Sequence, residues 1–331
     1  MKPKVAFIGT GGTIGSLGKD TLDIIDYASH GAKLEAEEVL ARFPEAAKIA
    51  NIIPVGFRAV PSFDIGFPEW KEIIGLCDKL VGEHPDLAGI VLSHGTASLE
   101  ETAFFLNLTI KVKVPVVVVG SQRPANGLSS DAGLNLVNAI RVAADPASRG
   151  MGVLVMLNDE IQAARDVTKT STFRLQTFRT PDFGILGQVD GNEVSYYRAP
   201  LRRRAPDTEF DVRGLDALPR VDISYAYVGS DGAAVRAFLQ AGARGIVSAG
   251  FGAGYPGSAE VALMREAAAR GVIVMLSTRV GSGRAHAGRK LREAGFLTAD
   301  TLNPQKARLL LALALTVTKD KAEINRIFAA Y

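Results

Sequence analysis

Three stretches of this chain place hydroxyl, imidazole or amine groups just past apolar runs. The first is Val5-Ala6-Phe7-Ile8, which breaks into Gly9-Thr10-Gly11-Gly12-Thr13-Ile14. Glycines let the backbone turn sharply and let a ligand approach main-chain N–H groups. A hydroxyl such as Thr13 at that point can contact a phosphate or act as a nucleophile. The second is Leu92-Ser93-His94-Gly95-Thr96-Ala97-Ser98-Leu99-Glu100-Glu101. It sets Thr96 at a strand-to-helix switch, near a helix N-terminus that favours developing negative charge. The third is Asn158 to Thr170, with Arg165-Asp166-Val167-Thr168-Lys169-Thr170 at its end. A lysine beside a buried hydroxyl has a lowered pKa and can serve as its base.

Each stretch also has a plainer reading. Gly9 and Gly11 begin a dinucleotide-binding pattern, but Ser16 to Lys33 is polar and broken where that pattern needs a helix. A phosphate-binding loop fails as well, because no Gly-Lys-Ser or Gly-Lys-Thr follows. Ser98 and Glu101 have capping-box spacing and read as a helix cap. His94 reads as a packed histidine, and most lysines in a run like the third are solvated.

The elements that must carry these groups follow from the apolar pattern. Strands are expected at 4–10, 52–60, 88–93, 114–119 and 152–157, with helices near 34–43, 68–83, 98–110 and 130–145. Wholly apolar runs such as Val114-Pro115-Val116-Val117-Val118-Val119 imply strands covered on both faces. The alternation predicts a larger N-terminal α/β domain with a doubly wound, mostly parallel sheet, over 1–190. Pro-bounded stretches including Arg202-Arg203-Arg204 predict an interdomain linker over 191–219, with those arginines solvated. Strand–helix repeats from Val221 onward predict a smaller, flavodoxin-like α/β domain over 220–331.

The composition suits a large core: 331 residues, 47% hydrophobic and 22% charged, with a formal charge of +3. The basic residues are scattered without interleaved aromatics, which argues against nucleic-acid binding. No apolar run reaches membrane-spanning length. The single cysteine, Cys77, lies on the apolar side of an expected helix and reads as buried and inert. A chain with one thiol and no evident leader is expected in the cytoplasm. The four histidines, His30, His84, His94 and His286, show no metal-ligand spacing, so no metal site is expected.

Taken together, Thr-Gly-Gly-Thr-Ile, His-Gly-Thr and Arg-Asp-Val-Thr-Lys-Thr in this order closely resemble the bacterial L-asparaginase/glutaminase family. The likeness runs through Gly120-Ser121-Gln122-Arg123-Pro124, Asp131-Ala132-Gly133-Leu134-Asn135-Leu136 and Thr301-Leu302-Asn303-Pro304-Gln305-Lys306-Ala307-Arg308. The resemblance implies an amidohydrolase that uses no cofactor and assembles as a homotetramer of intimate dimers. It implies that Thr13 attacks a side-chain amide carbonyl, forming an acyl ester that water then cleaves. Tyr27 matches the tyrosine that activates or orients this hydroxyl, and Thr96 and Lys169 match the second hydroxyl and its lysine. Backbone N–H groups near Thr96 and Ala97 stabilise the oxyanion in this picture. Ser62 matches the residue that binds the substrate carboxylate. Gly12, Phe63, Gly95 and Ala97 complete the expected binding surface.

The departures from the family pattern fall on groups that meet an amino-acid ammonium. Ala97 stands for the aspartate of His-Gly-Thr-Asp, Phe63 for a glutamine, and Ala253 for an asparagine that crosses the subunit interface. The stretch from His286 to Arg292, where the family has a cross-subunit glutamate, contains no acidic residue. Burying an ammonium without a carboxylate costs several kcal/mol. The expectation is therefore hydrolysis of a carboxamide with altered specificity, unless Asp64 or Asp166 receives the ammonium. The alternatives are a non-catalytic small-molecule sensor on the same fold, or a hydrolase of a non-amino-acid amide, lactam or ester.

Overall fold

The computed structural model describes residues 2–30 and 33–331. The chain divides into two compact units, residues 1–209 and 210–331. In the first unit, β1 (Lys4–Gly9), β2 (Asn51–Gly56), β3 (Leu87–Ser93), β4 (Val116–Val119) and β5 (Val153–Leu157) are parallel. β6 (Glu160–Ala163) turns back on β5 across a two-residue hairpin. Its turn residues, Asn158 and Asp159, both lie in the left-handed region, with φ of 52° and 63°. That conformation matches the twist of the flanking strands, and Asn and Asp tolerate it best after glycine.

A separate small hairpin joins β7 (Thr168–Lys169) to β8 (Phe178–Arg179). β9 (Gly187–Asp190) and β10 (Glu193–Tyr196) add antiparallel edges to the main sheet. The order is β10-β9-β6-β5-β4-β3-β1-β2, an eight-stranded sheet among the described residues. The expected linker from 191 thus begins with a strand of the first unit. The arginine cluster is not a free solvated tether either: Arg204 Nε donates to the Gly150 carbonyl at 2.7 Å, and Arg203 pairs with Glu209 at 3.1 Å.

Both faces of β1, β3, β4 and β5 are covered, whereas β2 at the edge is not. Val5, Phe7, Val91, Val117, Leu154 and Met156 pack with Leu136 and Ile140 of the helix Ala132–Ala144. The helix Leu99–Thr109 packs over β4 and β5, and the helix Phe67–Glu83 packs against it. Trp70 stacks on Phe105 with centroids 4.4 Å apart and donates from Nε1 to Thr102 Oγ1 at 2.9 Å. Such a ring pair adds about 1 kcal/mol beyond its area burial. Cys77 is buried in the same helix, as its apolar neighbours require.

The second unit holds a parallel sheet in the order β11 (Val221–Tyr225), β12 (Gly245–Gly250), β13 (Ile273–Thr278), β14 (Leu297–Thr298). Helices Ala233–Gln240, Ser258–Ala269 and Pro304–Val317 cover it.

One feature of the first sheet locates a site. β1 has β2 on one side and β3 on the other, so the strand order reverses there. Ligands in open α/β sheets bind beyond the carboxyl ends of strands at such a reversal. The ends are level: Gly9 of β1 is in register with Gly56 of β2 and Ser93 of β3.

Candidate active site

Each strand at the reversal delivers one hydroxyl within a few residues of its end. After β1 the chain passes through Gly11 and Gly12, at φ of 87° and 84°, into a 3-10 turn that starts at Thr13. A Cβ on Gly12 would come within 2.5 Å of the Gly95 backbone nitrogen. A Cβ on Gly95 would in turn come within 2.7 Å of Ser62 Oγ. Glycine at both positions therefore lets the Gly12 loop lie against the backbone at Gly95, and lets the Ser62 side chain close on Gly95 from the third loop.

Thr13 is 9% exposed, and its Oγ1 lies 2.8 Å from the hydroxyl of Tyr27. Tyr27 opens a short helix, Tyr27–His30, in the polar segment after β1. Thr96, three residues past β3, accepts a hydrogen bond from Lys169 Nζ at 2.8 Å. Lys169 reaches it from the small hairpin, where it pairs with Phe178. Buried Gln162 of β6 holds that hairpin in place: its Nε2 donates to the Phe178 carbonyl and its Oε1 accepts from Thr180 Oγ1, both at 2.8 Å. Burial pushes the Lys169 amine below the ordinary lysine value, against the opposing pull of the Glu100 carboxylate. Glu100 is itself buried at the start of the helix Leu99–Thr109 and accepts from Thr168 Oγ1 at 3.1 Å.

Ser62 is buried in the 3-10 turn after β2, and its carbonyl accepts a hydrogen bond from Ser98 Oγ. The expected capping role of Ser98 is thus corrected. Its hydroxyl makes no cap bond and instead ties the Ser62 loop to the Thr96 loop. A buried acceptor already in place captures a hydroxyl that could otherwise turn to its own helix.

Thr13, Tyr27, Thr96, Lys169, Gly12, Ser62, Phe63, Gly95 and Ala97 all line one cavity of about 410 Å³. That volume suits a small-molecule ligand. Phe63 and Ala97 are both exposed on its wall. Lys33 and Ser16 line it as well, although neither stood out in the sequence. The lining residues include two lysines and, among the described residues, no carboxylate. Asp64 and Asp166 are not among them, and the Asp166 carboxylate is held by Arg165 at 2.7 Å.

The other shared motifs prove architectural. The Asp131 carboxylate accepts from the backbone N–H groups of Gln122 and Arg123, at 2.9 and 3.0 Å. Asn135 donates to the Gly120 carbonyl and accepts from the Asn158 N–H, at 3.0 and 2.9 Å. These bonds pin the loops after β4 and β5 to the helix between them.

Comparison with known proteins finds relatives along the whole chain. The family described as "Asparaginase, N-terminal" matches residues 4–202, and the "Glutaminase/Asparaginase C-terminal domain" matches residues 220–328. The chain is 41% identical to the probable periplasmic L-asparaginase of Haemophilus influenzae, over 98% of this chain and 92% of that one. It is 39% identical to L-asparaginase 2 of Escherichia coli, over 99% and 93% of the two chains. The crystal structure of a probable cytoplasmic L-asparaginase from Campylobacter jejuni superposes with a TM-score of 0.94 at 36% identity, covering all of both chains. With both domains matched and relatives of this identity along its whole length, the chain belongs to the asparaginase/glutaminase family of amidohydrolases.

Proposed function

We propose that this protein hydrolyses a carboxamide lacking an α-ammonium group, through an acyl-enzyme on Thr13. The observation that carries the reading is the pairing of two hydroxyl systems on a cavity wall that has no carboxylate among the described residues. Thr13 meets Tyr27, Thr96 meets Lys169, and the lining offers lysines instead of an anion.

In the first step the Thr13 Oγ1–carbon bond forms and the carbon–nitrogen bond breaks. The hydroxyl proton passes to the departing nitrogen, which leaves as ammonia. In the second step the oxygen of water bonds the ester carbon, the carbon–Oγ1 bond breaks, one water proton passes to Oγ1 to restore the threonine hydroxyl, and the carboxylic acid departs. Splitting one hard displacement in two is what nucleophilic catalysis achieves. A Lys169 amine held below its ordinary pKa is suited to relay protons through Thr96. Ser62 is the group proposed to meet the carboxyl end of the substrate, with Gly12, Phe63, Gly95 and Ala97 shaping the space. No step calls for a metal or cofactor. The single buried thiol supports a reducing compartment such as the cytoplasm, and the family likeness supports a tetramer of two dimers.

The test is ammonia release from L-asparagine and from succinamate, the same amide without its amino group. Succinamate is expected to have the higher kcat/KM. A strong preference for asparagine would remove the specificity argument. Thr13→Ala is expected to lower kcat at least about a thousandfold. Unchanged turnover would take Thr13 out of the mechanism.

A further inference from the structure

We infer that His94 is a positioning residue that aims the Thr96 backbone N–H into the Thr13 cavity as a donor to the developing oxyanion. The inference rests on the acyl-enzyme reading above and adds a residue to it.

His94 is fully buried one residue past β3, and its backbone N–H donates to the Val119 carbonyl at 2.8 Å. Its ring Nδ1 lies 2.8 Å from the carbonyl oxygen of Gly95. A carbonyl only accepts, so Nδ1 carries the hydrogen and Nε2 is the bare nitrogen. Nε2 has no partner among the described residues. A bare lone pair is the tolerable form of that orphan, because a second buried N–H would lack an acceptor.

A peptide unit is planar and trans, so its C=O and N–H point in opposite directions. With the Gly95 carbonyl held by the imidazole, the Thr96 N–H is turned the other way. Gly95 and Thr96 both line the cavity, and the Thr96 N–H has no backbone acceptor among the described residues. The surroundings leave this peptide little freedom. A Cβ on Gly12 would meet the Gly95 nitrogen at 2.5 Å, and one on Gly120 would meet the His94 carbonyl at 2.7 Å. An oxyanion donor must be in place before charge develops, since reorganisation during the reaction forfeits its benefit. The imidazole thus acts on turnover through a neighbouring peptide, without touching substrate.

The test uses His94→Leu and His94→Asn in the full chain, assayed on succinamate and L-asparagine. Asparagine places an amide N–H where the imidazole Nδ1–H stands, whereas leucine offers no donor. Loss of the donor is expected to lower kcat about tenfold to a hundredfold, with KM within about threefold of the parent. His94→Asn is expected to restore kcat to within about threefold of the parent. A leucine variant with parental kcat, or one changed only in KM, overturns the inference. So does an asparagine variant as slow as the leucine one. If the leucine variant shows no cooperative melt, the asparagine variant decides alone, and a kcat more than about threefold below the parent counts against the proposal. Thr13→Ala run in parallel separates the two claims. Retained turnover there sinks the acyl-enzyme itself, whereas lost turnover beside an unaffected leucine variant sinks only the role of His94.

Discussion

Lys169 Nζ donates to Thr96 Oγ1 at 2.8 Å, joining a two-strand hairpin to the loop after β3 across 73 residues of sequence. Burial of the amine lowers its pKa, while Glu100 opposes the shift. Activity is therefore expected to rise with pH as the amine loses its proton, through a midpoint below that of an ordinary lysine. Lys169→Met is expected to abolish this alkaline rise and to lower kcat about a hundredfold or more. A kcat–pH profile of the parent that stays flat from neutral to alkaline pH would exclude the amine as base.

Ala97 lines the cavity at the position where the family resemblance expects an aspartate facing an amino-acid ammonium, and the described lining residues include no acid. Ala97→Asp is expected to raise kcat/KM for L-asparagine relative to succinamate by about tenfold or more, because a desolvated ammonium gains a partner. The change falls on an exposed position, so the melting temperature should scarcely move. An unaltered ratio of the two amides would show that the ammonium is read elsewhere.

His94 is buried and its pKa is lowered to about 4, chiefly by burial and against the Gly95 hydrogen bond. Between pH 6.5 and 4 the unfolded chain takes up a proton on this residue that the folded chain refuses. Stability should fall as pH is lowered through that window, by about 3 kcal/mol for this group alone, and level off below it. Urea midpoints of the parent and of His94→Asn, compared at pH 7 and pH 4.5, measure the difference. Equal losses in both proteins would assign the acid sensitivity to other groups.

The Cys77 thiol is fully enclosed and burial pushes its pKa up to about 12. Thiolate is the reactive form, so a disulfide reagent at pH 8 should modify the native protein only as fast as the helix Phe67–Glu83 opens. Cys77→Ser should cost stability, because a hydroxyl would be buried among Ile73, Ile74 and Leu80. Rapid native-state labelling would contradict that enclosure.

The inner parallel strands β1, β3, β4 and β5 were readable because their runs are almost wholly apolar, as strands covered on both faces are. β9 and β10 escaped notice for the opposite reason. Gly187-Gln188-Val189-Asp190 and Glu193-Val194-Ser195-Tyr196 alternate polar and apolar over four residues, too short a span for a period to emerge. The hairpin signal at Asn158-Asp159 was present but lacked the glycine that usually advertises it. In the site, the hydroxyls and Lys169 were legible through their motifs. Glu100 was not, because one acid in the first turn of a helix ordinarily serves only the helix dipole. Lys33 and Ser16 reach the cavity through an isolated bridge between them, a pairing that no local spacing announces.

Ala253 holds φ of 62°, a conformation that asparagine adopts more readily than alanine, and its carbonyl accepts the His286 N–H at 2.7 Å.

The contact of Gly12 on Gly95 bears on the candidate site in its own way. The span between the two threonine-bearing loops is gauged by naked main chain, with no removable side chain between them. Wall residues such as Phe63 and Ala97 are free to be exchanged without disturbing that span. Substitutions at those two wall positions should therefore change which ligand fits while the Gly12 and Gly95 loops keep their spacing.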